Sequence, residues 1–293
     1  MKPFDKVAVL GLGTMGSGIA QVVAASGRKV LALEVDQARI EVGKASIRTF
    51  LDEGIRRGKV TEDDAYKLVS SIQMTTDVRD LVGVDLVIEA VSERREVKQE
   101  LLATVVEVIG DDVVVATNTS ALSVTDLAAG IPRPERVVGL HFFNPAPVMT
   151  VVEVVHALQT DPGLPVRLEE FVLDLGKTPV HVKDRPGFLV NHLFMPYIND
   201  VIREYDNELA SAEDIDAAIE LGLGYKMGPL ALVDLIGADV HLHATESAYE
   251  ATLDPQFAPP PLLRQMVAAG HLGRKAGRGF RVGVETQATG GNR

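Results

Sequence analysis

The run of residues 6–36 constrains the fold more than any other part of the chain. A short apolar strand pattern, Lys6–Leu10 (KVAVL), leads directly into a glycine turn at 11–16 (GLGTMG). A helical pattern follows, then a second strand pattern at Lys29–Leu33, and Asp36 lies twenty residues beyond the last glycine of the turn. A GxGxxG pattern alone is a weak indicator, but strand, glycine turn, helix, strand and acid in this order predict a βαβ dinucleotide-binding unit.

Each part of this unit would contribute to binding a dinucleotide. Gly11 allows the tight turn, Gly13 lets the backbone approach a pyrophosphate, and Gly16 lets the helix pack on the strand. The N-terminus of the helix offers free N–H groups and a positive dipole to the phosphates. Asp36 would accept hydrogen bonds from the adenosine ribose and repel the 2′-phosphate of NADP. The alternative is a purely structural βαβ turn. We therefore predict NAD as the cofactor, bound by Gly11, Leu12, Gly13, Thr14, Met15, Gly16 and Asp36.

Strand and helix patterns alternate along the first two thirds of the chain and then stop. Further strand patterns lie at 85–89, 113–116, 137–140, 150–155 and 178–182. Residues 183–187 (KDRPG) form the clearest boundary, and the patterns beyond it are helical, at 188–209, 211–222, 230–249 and 262–269. We predict an α/β fold: a Rossmann-type dinucleotide-binding domain over 1–185, followed by an all-helical C-terminal domain over 186–293. From about Gly283 the chain is small and polar and is predicted to be disordered.

Composition excludes several classes of function. Among 293 residues there is no cysteine, so disulfides, thiolate metal sites and cysteine nucleophiles are excluded. The net charge of −12 argues against a nucleic acid partner, although a few local cations would suffice for a phosphorylated small ligand. The apolar runs are too short for a membrane span and the strand pattern begins almost at Met1, which predicts a cytoplasmic protein. His241 and His243 form an HxH pair, but residues two apart on a helix face different directions, so no metal site is predicted.

Polar side chains collect where the predicted parallel strands end, which is where ligands bind in open α/β sheets. Asn118, Ser120 and His141 all occupy such positions. The strand after His141 carries Glu153, and two short neighbouring strands would bring these side chains within hydrogen-bond reach. A carboxylate on one imidazole nitrogen fixes the tautomer and leaves the other nitrogen free to move a proton. The pair therefore indicates a proton-transfer site; the alternative is an ordinary surface or capping role for each residue.

The predicted helix over 37–59 has two interpretations. Its bases are Arg39, Lys44, Arg48, Arg56, Arg57 and Lys59. They form either a solvated face or a phosphate clamp for a long anionic substrate, with Arg57 as the best single candidate. A free hydroxy acid would instead need an arginine near the reacting carbon. The motifs around Ser120, His141 and Asn191 contain none.

Several longer motifs occur in the order seen in one enzyme family. They are GLGTMGSGIAQ, DLVIEAVSE, NTSAL, GLHFFNPAPVMTVVEVV, KDRPGFLVN, GYKMGP and GRKAGRGF. On these motifs the chain resembles the 3-hydroxyacyl-CoA dehydrogenase family, and most of all its compact 3-hydroxybutyryl-CoA branch. The resemblance extends to about Phe280, and HFFNP with the following strand glutamate is its most specific part.

The resemblance implies a role for individual residues. His141 would be the catalytic base and Glu153 its orienting partner, while Ser120 and Asn191 would hold the substrate oxygen and the imidazole. Arg57 falls near a position that meets the CoA phosphates. The positions that match NAD contacts are Asp36, Glu93, Lys98, Asn118, Asn144 and Lys275. Two positions depart from the family pattern: His192 replaces a common arginine, and Arg281 replaces a common tyrosine.

The implied activity is NAD-dependent interconversion of (S)-3-hydroxybutyryl-CoA and acetoacetyl-CoA. The partner would be a CoA thioester, and the enzyme a homodimer through its helical domain. Two alternatives stay open at this point. One is the same chemistry on a free hydroxy acid such as gulonate, and the other is a non-catalytic dinucleotide sensor. The Ser120, His141, Glu153 and Asn191 set argues against a sensor, which needs no proton relay.

Overall fold

The structure, a computed structural model, describes residues 4–281 of the chain. The tail from about Gly283 therefore lies outside the described residues. The chain divides into two compact units, the first ending at Phe188 and the second beginning at Leu189. Within the described residues, no helix has both the length and the apolar character needed to cross a membrane.

The first unit is built on one sheet, which over the described residues has eight strands in the order β3-β2-β1-β4-β5-β6-β7-β8. The strands are β1 (Lys6–Leu10), β2 (Lys29–Leu33), β3 (Ile72–Thr75), β4 (Leu86–Glu89), β5 (Val114–Thr117), β6 (Val137–Phe142), β7 (Val151–His156) and β8 (Thr178–Lys183). Strands β1 to β6 are parallel, β7 is antiparallel to β6, and β8 is parallel to β7. The strand order reverses at β1, and such a reversal point is where doubly wound sheets bind dinucleotides. The Rossmann-type prediction is confirmed, whereas β3 was not predicted.

Helices cover both faces of this sheet. They are α1 (Thr14–Ala25), α2 (Gln37–Arg56), α3 (Glu62–Ser70), α4 (Arg95–Val106), α5 (Val124–Ala129) and α6 (Leu164–Asp174). Successive side chains of β1 point to opposite faces of the sheet. Val7 and Val9 pack in the core that contains α1, α2 and α6, whereas Ala8 and Leu10 pack in the core that contains α4 and α5. Both faces are buried, which explains why the strand is a continuous apolar run rather than an alternating one.

The second unit is helical, as predicted. Its helices are α7 (Val190–Asp206), α8 (Ala212–Leu223), α9 (Pro229–Ile236), α10 (Ala238–Thr252) and α11 (Pro261–Ala268). They enclose an apolar core that includes Ile198, Leu230, Val233 and Leu263. The single helix predicted over 230–249 is wrong. Gly237 has a φ of 104°, outside the helical region, so α9 ends there and α10 begins at the next residue.

Candidate active site

The glycine turn connects β1 to α1 in the tight geometry that its sequence predicts. Gly11 has a φ of 88°, which favours glycine. A Cβ placed on Gly16 would lie 1.8 Å from the Gly11 carbonyl oxygen, so only glycine fits there. Among the described residues, no heavy atom lies within 4 Å of a Cβ built on Gly13, the residue that precedes α1. The turn therefore leaves backbone at the start of α1 open to a phosphate.

Two adjoining cavities, each of about 530 Å³, open beside this turn. Their volumes fall within the range of small-molecule and cofactor sites. Both are lined by Gly11, Glu34, Val35, Val78, Val91 and Leu101. Gly11, Glu34 and Val91 follow the carboxyl ends of β1, β2 and β4 within two residues, so the cavities lie at the reversal of strand order. The adenosine half of a dinucleotide is expected there in this fold class.

The carboxylate at the end of β2 is Glu34, not Asp36. Glu34 follows β2 directly, is buried, and accepts a hydrogen bond from the Leu12 amide in the glycine turn at 2.6 Å. Asp36 is exposed and caps α2 instead, since its Oδ1 accepts from the Arg39 amide at 2.8 Å. Asp36 is also absent from the lining of both cavities as the described residues form them. This geometry makes Glu34 a second candidate for the ribose hydroxyls beside Asp36, and the contact of either carboxylate with NAD stays a prediction.

His141 and Glu153 face each other across β6 and β7. The antiparallel register pairs them directly, and His141 Nδ1 lies 2.6 Å from Glu153 Oε2. Their side chains are 7% and 0% exposed. The rings of Phe143 and Phe188 lie 4.6 and 5.6 Å from the imidazole, centroid to centroid. In the tautomer with hydrogen on Nδ1, the imidazole donates to the Glu153 carboxylate, and Nε2 is the nitrogen that can exchange a proton with a ligand. The predicted proximity of the pair is confirmed, although His141 lies inside β6 rather than at its end.

Glu93 holds the segment that carries Ser120. Its Oε1 accepts from the Thr119 hydroxyl at 2.6 Å, the Ser120 amide at 2.7 Å, the Ala121 amide at 3.0 Å and the Ser120 hydroxyl at 3.3 Å. Burial, the largest single influence, raises the pKa of Glu93. The Lys98 charge and the hydrogen bonds from residues 119–121 outweigh burial together, so its pKa lies below the ordinary value. Glu93 is therefore an ionised acceptor near neutral pH, and Ser120 is exposed on the loop it organises.

Asn118 and Lys98 both interact with other groups of the protein, Asn118 by a hydrogen bond and Lys98 by ion pairs. Asn118 Oδ1 accepts from the Phe142 amide at 2.8 Å, which ties the end of β5 to the end of β6 next to His141. The Lys98 ammonium lies between Glu89 Oε1, at 2.7 Å, and Glu93 Oε2, at 3.2 Å. Glu89 is not among the site residues predicted from the sequence, although this acid ends a buried strand just before the turn that holds Glu93.

The remaining candidates lie at the surface or in the second unit. Asn144 is exposed in the turn between β6 and β7, and Arg57 is an exposed residue at the end of α2, paired with Glu53. Asn191 is a half-buried residue in the first turn of α7. Lys275 donates to Asp239 at 2.7 Å. The proposed contacts of these four residues with ligands stay predictions.

The residues that prompted a metal hypothesis or a departure from the family pattern have structural partners. His241 is buried with its Nε2 3.1 Å from Asn199 Oδ1, and the described residues contain no group of three His, Cys, Asp or Glu suited to a metal. The ring of His192 lies 5.0 Å from that of Phe257. Arg281 donates to Asp216 at 2.7 Å.

Lys177 is another residue near the site that was not predicted from the sequence. It is buried, and its ammonium donates to the carbonyls of Ala146, at 2.7 Å, and Met149, at 2.6 Å. Burial lowers its pKa. Lys177 thereby closes the turn between the strands of His141 and Glu153. The sequence carries little signal for it, since a lysine between a helix and a strand is usually solvated.

Both parts of the chain match models of one protein family. Residues 6–185 match the model of the 3-hydroxyacyl-CoA dehydrogenase NAD binding domain, and residues 187–282 match that of the C-terminal domain of the same family. A 3-hydroxybutyryl-CoA dehydrogenase of Mycobacterium tuberculosis is 44% identical over 278 residues, which is 94% of this chain and 97% of that protein.

Two further comparisons concern a longer relative and a solved structure. A 3-hydroxyadipyl-CoA dehydrogenase of Escherichia coli is 43% identical over 274 residues, 93% of this chain and 58% of that protein. The crystal structure of (S)-3-hydroxybutyryl-CoA dehydrogenase from Ralstonia eutropha superposes with a TM-score of 0.92 at 41% identity, covering 95% of this chain and 99% of that one.

Proposed function

The chain belongs to the 3-hydroxyacyl-CoA dehydrogenase family, and from this premise we propose that it interconverts (S)-3-hydroxybutyryl-CoA and acetoacetyl-CoA. It is an NAD-dependent oxidoreductase that acts on a CH–OH group. The observation that carries the proposed reaction is the buried His141–Glu153 pair, with its 2.6 Å hydrogen bond and one imidazole nitrogen left for a ligand.

In the proposed mechanism the 3-hydroxyl group lies between Ser120 and His141. His141 Nε2 takes the hydroxyl proton as C3 is oxidised, and the negative charge of Glu153 stabilises the imidazolium that forms. In the reverse direction the imidazolium returns the proton to the 3-keto oxygen. NAD, when bound, supplies the hydride chemistry; the protein aligns the reacting atoms and polarises the oxygen.

The residues that would hold NAD fit a dinucleotide. The open backbone at Gly13 and the N-terminus of α1 suit the pyrophosphate, and Glu34 suits the ribose hydroxyls. Asn118 and the Glu93–Lys98 pair lie at the carboxyl ends of β5 and β4, where the nicotinamide end is expected. The contacts of Asn144 and Lys275 with NAD rest on the resemblance alone.

We propose a CoA thioester as the substrate, because the bases at the end of α2 are exposed and far along the chain from His141. The side chains of Arg56 and Arg57 are 76% and 64% exposed, and both pair with the single carboxylate of Glu53, which leaves the cluster positive. Lys59 adds a further charge. An exposed cation cluster suits the phosphates of CoA, and binding energy from phosphates that lie away from the reacting carbon can position the reacting end.

We also propose that the enzyme is a cytoplasmic homodimer that associates through its second unit. That unit exposes several large apolar side chains, namely Leu193, Leu209, Leu221, Leu223 and Leu253. Apolar surface of this kind is typical of protein–protein contacts. Sedimentation of the purified enzyme tests the dimer, and a monomer at micromolar concentration would contradict it.

A spectrophotometric assay of NADH oxidation tests the reaction. We expect turnover with acetoacetyl-CoA and far less with free acetoacetate; equal efficiency would contradict the thioester proposal. Arg57→Ala is expected to raise KM for acetoacetyl-CoA by about 10-fold, the scale of one charged contact, with little change in kcat. Glu169→Gln in α6, a charge change outside the proposed site, serves as the control. An unchanged KM and salt dependence would move the phosphate clamp away from Arg57 but leave the thioester proposal in place.

A further inference from the structure

Glu89 is the most deeply buried acid near the proposed site that the mechanism does not use. It is the last residue of β4 and is 0% exposed. Its Oε1 accepts from the Lys98 ammonium and from the Val91 amide, each at 2.7 Å. Its Oε2 accepts from the Thr117 hydroxyl at 2.6 Å. Both carboxylate oxygens are thus occupied by protein donors, so Glu89 is built into the scaffold rather than placed to contact a ligand.

One chain of contacts leads from Glu89 to Ser120 through two side chains. Lys98, itself 1% exposed, joins the carboxylates of Glu89 and Glu93. Glu93 in turn accepts from Thr119, Ser120 and Ala121. A rigid strand end is therefore linked by ionic hydrogen bonds to the loop that carries the proposed substrate contact.

A second chain of contacts reaches the same loop from its beginning. Thr117 is the last residue of β5 and lies opposite Glu89 in the sheet register. Its hydroxyl donates to Glu89 and accepts from the Thr119 amide at 3.3 Å. Glu89 therefore reaches the beginning of the loop directly through Thr117, and the middle of the loop through Lys98 and Glu93.

The negative charge of Glu89 compensates the buried Lys98 ammonium and so leaves Glu93 in place on the loop. A buried ammonium needs a compensating partner, and removing one partner from a buried ion pair leaves an uncompensated charge. Without the Glu89 carboxylate, Lys98 would depend on Glu93, whose side chain is 36% exposed. Glu93 would then shift towards Lys98, and its four hydrogen bonds to residues 119–121 would no longer be held in place.

We infer that Glu89 is a positioning residue for catalysis: acting through Lys98 and Glu93 on one side and Thr117 on the other, it fixes Ser120 against the substrate hydroxyl. The inference rests on the proposed function for its effect on turnover. It concerns a residue that does not touch the substrate. The competing explanation is that Glu89 only stabilises the fold.

Glu89→Gln tests the inference, because glutamine keeps the shape but replaces one accepting oxygen with an N–H₂ group. Asp174→Asn is the control: Asp174, 42% exposed, is a carboxylate partner of Arg28, a buried guanidinium elsewhere in the same unit. We expect Glu89→Gln to lower kcat by about 10- to 100-fold, the scale of a small misplacement at an active site, and Asp174→Asn to leave kcat within about 2-fold. Equal effects on kcat at equal loss of melting temperature would overturn the inference.

A double-mutant cycle with Ser120→Ala identifies the route. If Glu89 acts through Ser120, adding Glu89→Gln to Ser120→Ala lowers kcat by no more than about 2-fold, because the two changes remove one function. If the two effects multiply fully, Glu89 does not act through Ser120, and the inference is wrong. Thr117→Val breaks the second chain without altering charge; it supplies the same cycle if Glu89→Gln does not fold.

Amide hydrogen exchange gives a readout that needs no substrate. We expect the amides of residues 119–121 to exchange faster in Glu89→Gln than in the wild type or in Asp174→Asn, since Glu93 no longer holds them firmly. Unchanged exchange would overturn the inference. If the wild-type enzyme fails to reduce acetoacetyl-CoA, the proposed function fails, whereas the exchange result still decides whether Glu89 positions the loop.

Discussion

The partner of the proposed base offers the most quantitative test of the mechanism. Glu153→Gln keeps the shape of a fully buried side chain and removes its charge. The hydrogen bond to His141 is 2.6 Å long, which places the carboxylate and imidazolium charge centres about 4 Å apart. At an effective dielectric constant of about 20, their attraction is about 4 kcal/mol, which corresponds to about 10³ in rate. The amide dipole of glutamine replaces part of it, so we expect kcat to fall by about 10²- to 10³-fold.

The assay is NADH oxidation with saturating acetoacetyl-CoA, accompanied by a melting temperature and an NADH titration. We expect NADH affinity and melting temperature to stay close to wild type, because the change removes charge stabilisation mainly from the protonated imidazole. Glu169→Gln is the control, since Glu169 forms a similar but exposed pair with His181 at 3.2 Å. The control should retain turnover within about 2-fold, as exposed ion pairs contribute little. If Glu153→Gln keeps a third or more of wild-type turnover, Glu153 does not stabilise an imidazolium and the proton-transfer assignment is wrong.

Two further predictions concern cofactor choice and stability. Glu34→Ala should reduce the preference for NADH over NADPH, measured as the ratio of kcat/KM values, by at least about 10-fold, because the charge that repels a 2′-phosphate is removed. Asp36→Ala should leave that ratio unchanged and cost about 1 kcal/mol of stability as a lost helix cap; the reverse pattern would favour Asp36 as the ribose contact. Burial lowers the pKa of His241 from 6.5 to about 4, so the unfolded chain binds this proton first as the pH falls. The free energy of unfolding is therefore unaffected by this group above about pH 6.5. It decreases by about 3 kcal/mol as the pH falls from there towards about 4. The drop in melting temperature between about pH 7.5 and about pH 5 should therefore be smaller in His241→Gln than in the wild type, and equal drops would refute this origin.

Features encoded by neighbouring residues could be predicted from the sequence. The glycine turn is one, because steric limits on Gly11 and Gly16 act within six residues and permit little else. The His141–Glu153 pair is another, since a short connection between two strands leaves few registers that keep both strands buried. The apolar runs predicted most of the buried strands, and the change to helical patterns after residue 187 predicted the second unit.

Other features depended on contacts between residues far apart in the chain. Glu34 and Asp36 are two acids in one short segment, and only the contact of Glu34 with Leu12, 22 residues earlier, distinguishes a cavity wall from a helix cap. β3 is an edge strand of four residues, too short for its pattern to stand out. Gly237 lies within a helical sequence pattern, where a single glycine is tolerated. Its φ of 104°, which separates α9 from α10, is seen only in the structure.

The buried ion pairs show the same limit most clearly. The sequence predicted Lys98 as an NAD contact at the start of a helix. It predicted Glu89 only as the last residue of a strand. The sheet register places Glu89 beside Thr117, 28 residues away, and the packing of α4 brings the Lys98 ammonium to the same carboxylate. A sequence specifies the type of each side chain and its local backbone preference. Which charges share a buried site is decided by tertiary packing, because burial makes their pairing necessary and only the assembled sheet brings them within hydrogen-bond distance.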